Sequence, residues 1–191
     1  TPYMSRASHA AGGEISYEWV SDSTYRVYFK FYRDCGGANA PNTVALCYHN
    51  SCTSYSNTVT MTRITKLPDS TTNGSPVSTG CAGVGTKCSS STSPIPGYAE
   101  WWYTATVTLP SRCNYWTFSA FVNARNPSVN IFGGSMYVEA TLNNLVAQGN
   151  SSPYFSVKPV PSVCINQSYT YNNGGVDPDS DSLVFEMASP I

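Results

Sequence analysis

Charge is scarce in this chain: Asp, Glu, Lys and Arg make up 11% of its 191 residues and cancel to a net charge of -1. The ten basic residues never cluster, so no patch exists to track a phosphate backbone, which argues against nucleic acid as a partner. Long apolar runs are missing too, and nothing approaches the ~20 residues of a membrane span. No Cys-x-x-Cys pair opens a zinc site. No window of about 11 residues carries the 3.6 period of an amphipathic helix.

The signatures of common chemistries are equally thin. No Gly-x-Ser-x-Gly elbow occurs, and the glycines of Cys81-Ala82-Gly83-Val84-Gly85-Thr86-Lys87 lack the Walker spacing. His9 and His49 stand without a nucleophile or metal-ligand motif around them, and read as loop histidines. Apart from Glu14 with Glu18 and a cluster in the tail, the acids are isolated, so no carboxylate pair of the glycosidase kind stands out. Glu14, Ser16 and Glu18 share one strand face, read as solvated. No catalytic residue is assigned, and the chain reads as non-enzymatic.

What is abundant is uncharged and polar: 61 residues are Ser, Thr or Asn, so solubility rests on hydroxyls and amides. Seven cysteines in such a chain point to disulfides in an oxidising compartment. Cys47 and Cys52 enclose four residues and Cys81 and Cys88 enclose six, so either pair could staple a loop. Cys35, Cys113 and Cys164 then share one bridge, taken as Cys35 with Cys113, and one spare. The spare Cys164 is free, cross-linked to another chain, or paired beyond Ile191. Thr1-Pro2-Tyr3-Met4 reads as a mature N-terminus left after removal of an export signal.

The dominant period is two, the mark of strands with one buried face. In Tyr25 to Tyr32 the odd positions are apolar, and Ile15, Tyr17 and Trp19 alternate with polar residues before the Ser21-Asp22-Ser23 turn, so a hairpin is expected. Tyr103 to Leu109 turns through Pro110-Ser111-Arg112 into Tyr115 to Val122. Met136 to Leu142 forms a further stripe after Gly133-Gly134, and Thr43 to Cys47 and Asn57 to Ile64 are shorter candidates. The expected fold is all-β: an antiparallel β-sandwich over residues 1–150, then the first strands of an immunoglobulin-like or cadherin-like sandwich over 151–191. The second unit is incomplete, because about 100 residues are needed for such a domain; it is either truncated or completed by another chain. The Leu67 to Gly97 stretch is too long for an ordinary connection and is read as a disulfide-stapled excursion.

Two constellations are ligand-like. Asp177, Asp179 and Asp181 concentrate three carboxylates in five residues, which suits calcium, although Ser182 and Ala188 stand where an EF-hand needs Gly and an acid. A plain turn in which the Asp side chains bond their own backbone is the rival. Trp101 and Trp102 face opposite sides of a strand, leaving one outside the core for a protein contact, a sugar, or cover by the Leu67 to Gly97 loop.

His9-Ala10-Ala11-Gly12-Gly13-Glu14-Ile15-Ser16-Tyr17, Phe31-Tyr32-Arg33-Asp34-Cys35, Thr106 to Pro110 with Cys113 and Trp116, Asn123-Ala124-Arg125-Asn126 to Asn130-Ile131, and Ser152-Pro153 through Phe185 carry a resemblance. Together they resemble the mature start of large multi-domain surface proteins of Bacteroidota, the group that includes gliding-associated proteins exported by type IX secretion. Asn123-Ala124 stand where that family carries a double cysteine, which leaves the partners of Cys35 and Cys164 open. The resemblance implies a secreted or cell-surface module for adhesion, motility or filament building, on the outer surface of a Gram-negative bacterium, contacting other chains or further domains of the same protein. A carbohydrate-binding module using exposed aromatics, with surface glycans as partners, is the alternative. The resembled group's O-glycan acceptor pattern falls on Ser23, Ser70 and Ser182.

Overall fold

The computed structural model describes residues 9–126 and 134–186. Thr1-Pro2-Tyr3-Met4, Asn130-Ile131, Gly133, Ala188 and Ile191 lie outside the described residues. Seven long strands make one sheet: β1 (Ala10–Ser21), β2 (Thr24–Asp34), β3 (Thr43–Asn50), β4 (Ser56–Arg63), β5 (Tyr98–Thr108), β6 (Trp116–Arg125) and β7 (Gly134–Leu142). Their order is β1-β2-β5-β4-β3-β6-β7, and a further pair between Ala10 and Arg125 joins β1 to β6. Six strands thus close into a barrel, with β7 flanking β6.

The closed ring replaces the expected sandwich. The physical reason lies in strand length and irregularity. β1, β2 and β5 run 11 or 12 residues, long enough for the right-handed twist to coil the sheet back on itself. Irregularities in register between Ala10 and Gly12, Trp19 and Ser21, and Asn123 and Arg125 sharpen that curl. Ala124, at φ 64°, carries the last of these.

The alternating faces are arranged as the period predicts. Tyr25, Val27, Phe29 and Phe31 are fully buried, and Leu46, Met61, Tyr103, Trp116 and Phe118 meet them inside the barrel. Tyr17 stacks edge-on against Tyr25 at 5.9 Å and leans on Phe118 at 5.4 Å. β1 and β2 form the expected hairpin across Asp22. The stretch from β5 to β6 is a crossing rather than a hairpin: β5 pairs with β2 and β4, whereas β6 pairs with β3 and β7.

Three disulfides join distant segments: Cys35–Cys88, Cys52–Cys113 and Cys81–Cys164, with sequence separations of 53, 61 and 83. The expected short staples, Cys47 with Cys52 and Cys81 with Cys88, do not form, nor does Cys35 with Cys113. Cys47 is the free, exposed cysteine, and Cys164 is paired. Cys47 sits on the outward face of β3, where its thiol meets Thr58, while Cys52 lies past the strand end beside Asn114 and Cys113. A pleated strand turns the two apart however near they are in sequence.

The Leu67 to Gly97 excursion is therefore anchored at two points, to the end of β2 through Cys88 and to the tail through Cys81. Residues 151–186 pass along the outside of the barrel as a strap. Its regular structure is one short ladder, β8 (Tyr154–Phe155) against β9 (Gly175–Val176). Immunoglobulin-like layering is not formed among residues 151–186. Hydrogen bonds cross the expected boundary at residue 150: Ser152 N–H donates to the Tyr17 carbonyl at 2.8 Å, and Tyr17 N–H donates to the Ser152 hydroxyl at 2.8 Å.

Candidate functional site

The outward face of β1, β2 and β5 should be polar and wet by alternation, yet two of its charges are buried: Lys30 is 5% exposed and Glu100 is 3% exposed. The strap and the Leu67 corner of the excursion cover them. Glu14 on β1 ion-pairs with Lys30 on β2, directly across the hairpin ladder. The Lys30 ammonium also donates to the Phe155 carbonyl of the strap at 3.2 Å and lies 4.8 Å from the centre of the Trp102 ring. Trp102 Nε1–H donates to Glu100 Oε1 at 2.7 Å. The other oxygen of Glu100 is 3.0 Å from Lys158 Nζ, which also donates to Asp69 at 2.8 Å. One chain of charge thus runs from barrel to strap to excursion: Glu14, Lys30, Trp102, Glu100, Lys158, Asp69.

Three pKa shifts mark this clasp. The hydrogen bond from Lys158, helped by Thr71, holds the Asp69 carboxyl well below the usual range. Burial works against the Lys158 ammonium, but its bonds to Asp69 and Glu100 outweigh that and raise its pKa. Tyr32, beside the chain of charge, is pushed far up by burial, with the carboxylates of Glu100 and Glu14 adding to the effect.

Above the clasp, the strap leaves a cavity of about 410 Å³ between the edges of β1 and β7, with Glu14, Ser16 and Glu139 on its walls and Tyr154, Phe155 and Phe185 over it. A second cavity of about 390 Å³ lies between Tyr32, Tyr98 and the strap prolines Pro159 and Pro161.

The residues singled out in the sequence fall around this region unevenly. Trp102 is in the clasp. Trp101 points the other way, toward the core, with the Arg63 guanidinium 4.3 Å from its ring and Gly74 against its edge. Both tryptophans are half-buried, and Trp102 shares a hollow with Leu67 and Pro68 of the excursion and Tyr154 and Phe155 of the strap. Gly74 is glycine for a reason: its φ is 92°, and a Cβ there would lie 2.5 Å from Trp101.

Asp177, Asp179 and Asp181 are partly used by the backbone. Asp177 Oδ1 accepts from the N–H groups of Asp179 at 2.8 Å and Asp181 at 3.1 Å, while Asp179 Oδ2 accepts from Ser151 N–H at 2.6 Å. Among the described residues, no three His, Cys, Asp or Glu side chains gather to hold a metal ion. Ser70 and Ser182 are exposed and Ser23 is half-buried in the β1–β2 turn. His49 is exposed on the outside of β3, and His9 meets the Phe31 ring edge-on at 5.8 Å.

Sequence reasoning missed Lys30, Glu100, Lys158 and Asp69 as a unit, and took Glu14 as solvated. The available signal was Lys30 itself, a lone cation between Phe29 and Phe31 in the most aromatic strand, and Glu100 directly before the tryptophan pair.

No protein-family model matches the chain, and no curated protein or solved structure matches it. No helix of the described residues is long and apolar enough to cross a membrane.

Proposed function

We propose that this chain is a non-enzymatic extracellular module of a large bacterial cell-surface or filament protein, structural or adhesive, acting through protein–protein contacts. One observation carries the reading: the strap leaves large apolar side chains uncovered. Ile165 is 89% exposed, Val184 88% and Phe185 64%. Single exposed apolar residues are ordinary, but three large ones left uncovered on a segment whose regular structure is a two-residue ladder are what a contact surface presents before its partner arrives. Three disulfides and a charge-poor surface support an oxidising compartment. The resemblance to Bacteroidota surface proteins supports the outer surface in particular.

Sedimentation velocity at micromolar protein without ligand tests this. The expected result is concentration-dependent association that fades when Ile165 is changed to Ser, with the barrel's circular dichroism unchanged. A chain that stays monomeric, and instead binds on a glycan array in a manner lost with Trp101→Ala or Trp102→Ala, overturns it in favour of a carbohydrate-binding module.

A further inference from the structure

The barrel is closed at one end and open in the middle. Ala10 pairs with Arg125, and farther along Tyr17 and Trp19 are capped by the strap, through Ser152 and Ser151. Between these points, no ladder joins β1 to β7. The Met136 methyl nevertheless lies against Gly13, Ile15 and Val138 line one cavity, and the Tyr17 hydroxyl reaches the Thr141 carbonyl, so two strand edges face each other without pairing.

The direction of their backbone groups follows from the alternation of antiparallel ladders. Tyr17 exchanges its main-chain bonds with Ser152 rather than with Val27 opposite it on β2. Residues two and four places earlier on the same unbroken register, Ile15 and Gly13, therefore also turn their N–H and C=O away from β2 and into the gap. On the other side, the Thr141 carbonyl receives the Tyr17 hydroxyl at 2.9 Å, so Tyr137 and Glu139 direct their backbone groups the same way. The bond from Ser51 N–H to the Tyr115 carbonyl sets the same phase independently. It turns Cys47 toward β6, Ser119 toward β3, and hence Glu139 away from β6. The Gly13–Ser16 window is about 13 Å long at the usual rise per residue, and the 410 Å³ cavity lies against it.

Charge says what fits. Among the described residues no Lys or Arg lines that cavity, and Lys30, which donates to the Phe155 carbonyl beside it, is already committed to Glu14. Glu139 has no ion-pair partner among the described residues and meets only the Tyr137 hydroxyl, at 2.6 Å. Glu18, Asp177, Asp179 and Asp181 surround the same side of the molecule, with Arg26 3.8 Å from Glu18. Main-chain donors and acceptors on an open edge, apolar cover from Phe155 and Phe185, and an unpaired carboxylate together specify a peptide in extended form bearing a cation.

We propose that the Gly13–Ser16 edge of β1, facing Tyr137 and Glu139 of β7, receives a short extended peptide segment that carries a lysine or arginine and sets it against Glu139. This rests on the protein-contact reading, but the two fail separately, because self-association is read by sedimentation and the window by its own amides.

The experiment is amide hydrogen exchange by NMR on the full chain, free and with a capped Val-Lys-Val-Lys-Val peptide or its Glu and Ser counterparts. In the free protein, Gly13, Ile15, Tyr137 and Glu139 are expected to exchange faster than Ala105 and Val27, and the lysine peptide slows them about tenfold at saturation. Glu139→Gln keeps the Tyr137 bond and the fold, and weakens the lysine peptide about fivefold. Three outcomes overturn the proposal: window amides already as slow in the free protein as those of β2, equal binding of the Glu or Ser peptide, or lysine-peptide shifts confined to the turn around Ile165.

Discussion

A lysine that is 5% exposed on the outside of a barrel exists in that state only because its charge is answered on every side. Lys30 has the Glu14 carboxylate, the Phe155 carbonyl and the Trp102 face around it. Removing one partner of a buried pair leaves the other charged and desolvated, which is the costly event; replacing both is far cheaper. Lys30→Met is therefore expected to destabilise the chain by about 3 kcal/mol, and Lys30→Met combined with Glu14→Gln to recover most of that. Urea unfolding followed by tryptophan fluorescence measures both. A single mutant within about 0.5 kcal/mol of the parent, the ordinary range for exposed positions, would mean the strap does not seal this pair from water.

At the scale of elements, strands were legible because their information is local. Period two in Tyr25 to Tyr32 needs no knowledge of the rest of the chain, and β2 buries those odd positions completely. Pairing was not legible. β5 follows β6 in no ladder although a turn of Pro110-Ser111-Arg112 separates them, since which edge a strand joins depends on the curl of the whole sheet. The cysteines carry the same lesson. Cys81 and Cys88 lie close in sequence, yet the excursion sends one to the strap and the other to β2. The clasp was hidden for a related reason, its members being drawn from β1, β2, β5, the excursion and the strap, with no shared motif.

These linkages separate two mechanical units. In the chain-entropy picture, loops of 61 and 83 residues are each worth about 4 kcal/mol, but they restrain different things. Cys52–Cys113 ties the end of β3 to the approach of β6 inside the barrel wall, whereas Cys81–Cys164 ties the excursion to the strap. Replacing Cys81 and Cys164 by Ser is expected to raise hydrogen exchange in residues 151–186 and in the excursion, while β2 and β6 stay protected. Replacing Cys52 and Cys113 by Ser is expected to lower protection throughout the barrel. Mass-spectrometric exchange of the two variants distinguishes them, and uniform loss in both would show that strap and barrel unfold as one cooperative unit.

For the whole molecule, the pH response follows from what is buried rather than from net charge, which is -1. On the acid side the depressed Asp69 carboxyl contributes stability that is present above about pH 4, its ordinary range, and is lost as pH falls through its lowered value. Asp69 is exposed, so that contribution is small. The alkaline side dominates. Tyr17 and Tyr32 are both pushed far up, chiefly by burial, so in the folded chain they keep their protons where an unfolded tyrosine has lost them. Their contribution is full below about pH 10, the unfolded value, and is lost as pH rises toward the folded values. Each tyrosine so held changes stability by about 1.4 kcal/mol per pH unit in that window. Tyr17→Phe separates this from simple packing. At neutral pH it gives up the bond to the Thr141 carbonyl and is expected to be less stable by about 1 kcal/mol. Its alkaline slope is shallower, so the deficit closes by about pH 11, one unit past the unfolded tyrosine value. Urea midpoints across that range, in a Cys47→Ser background that keeps a free thiolate from attacking the disulfides, follow both curves. Parallel curves would place the Tyr17 hydroxyl in contact with water, and with it the seam between Tyr17 and Ser152.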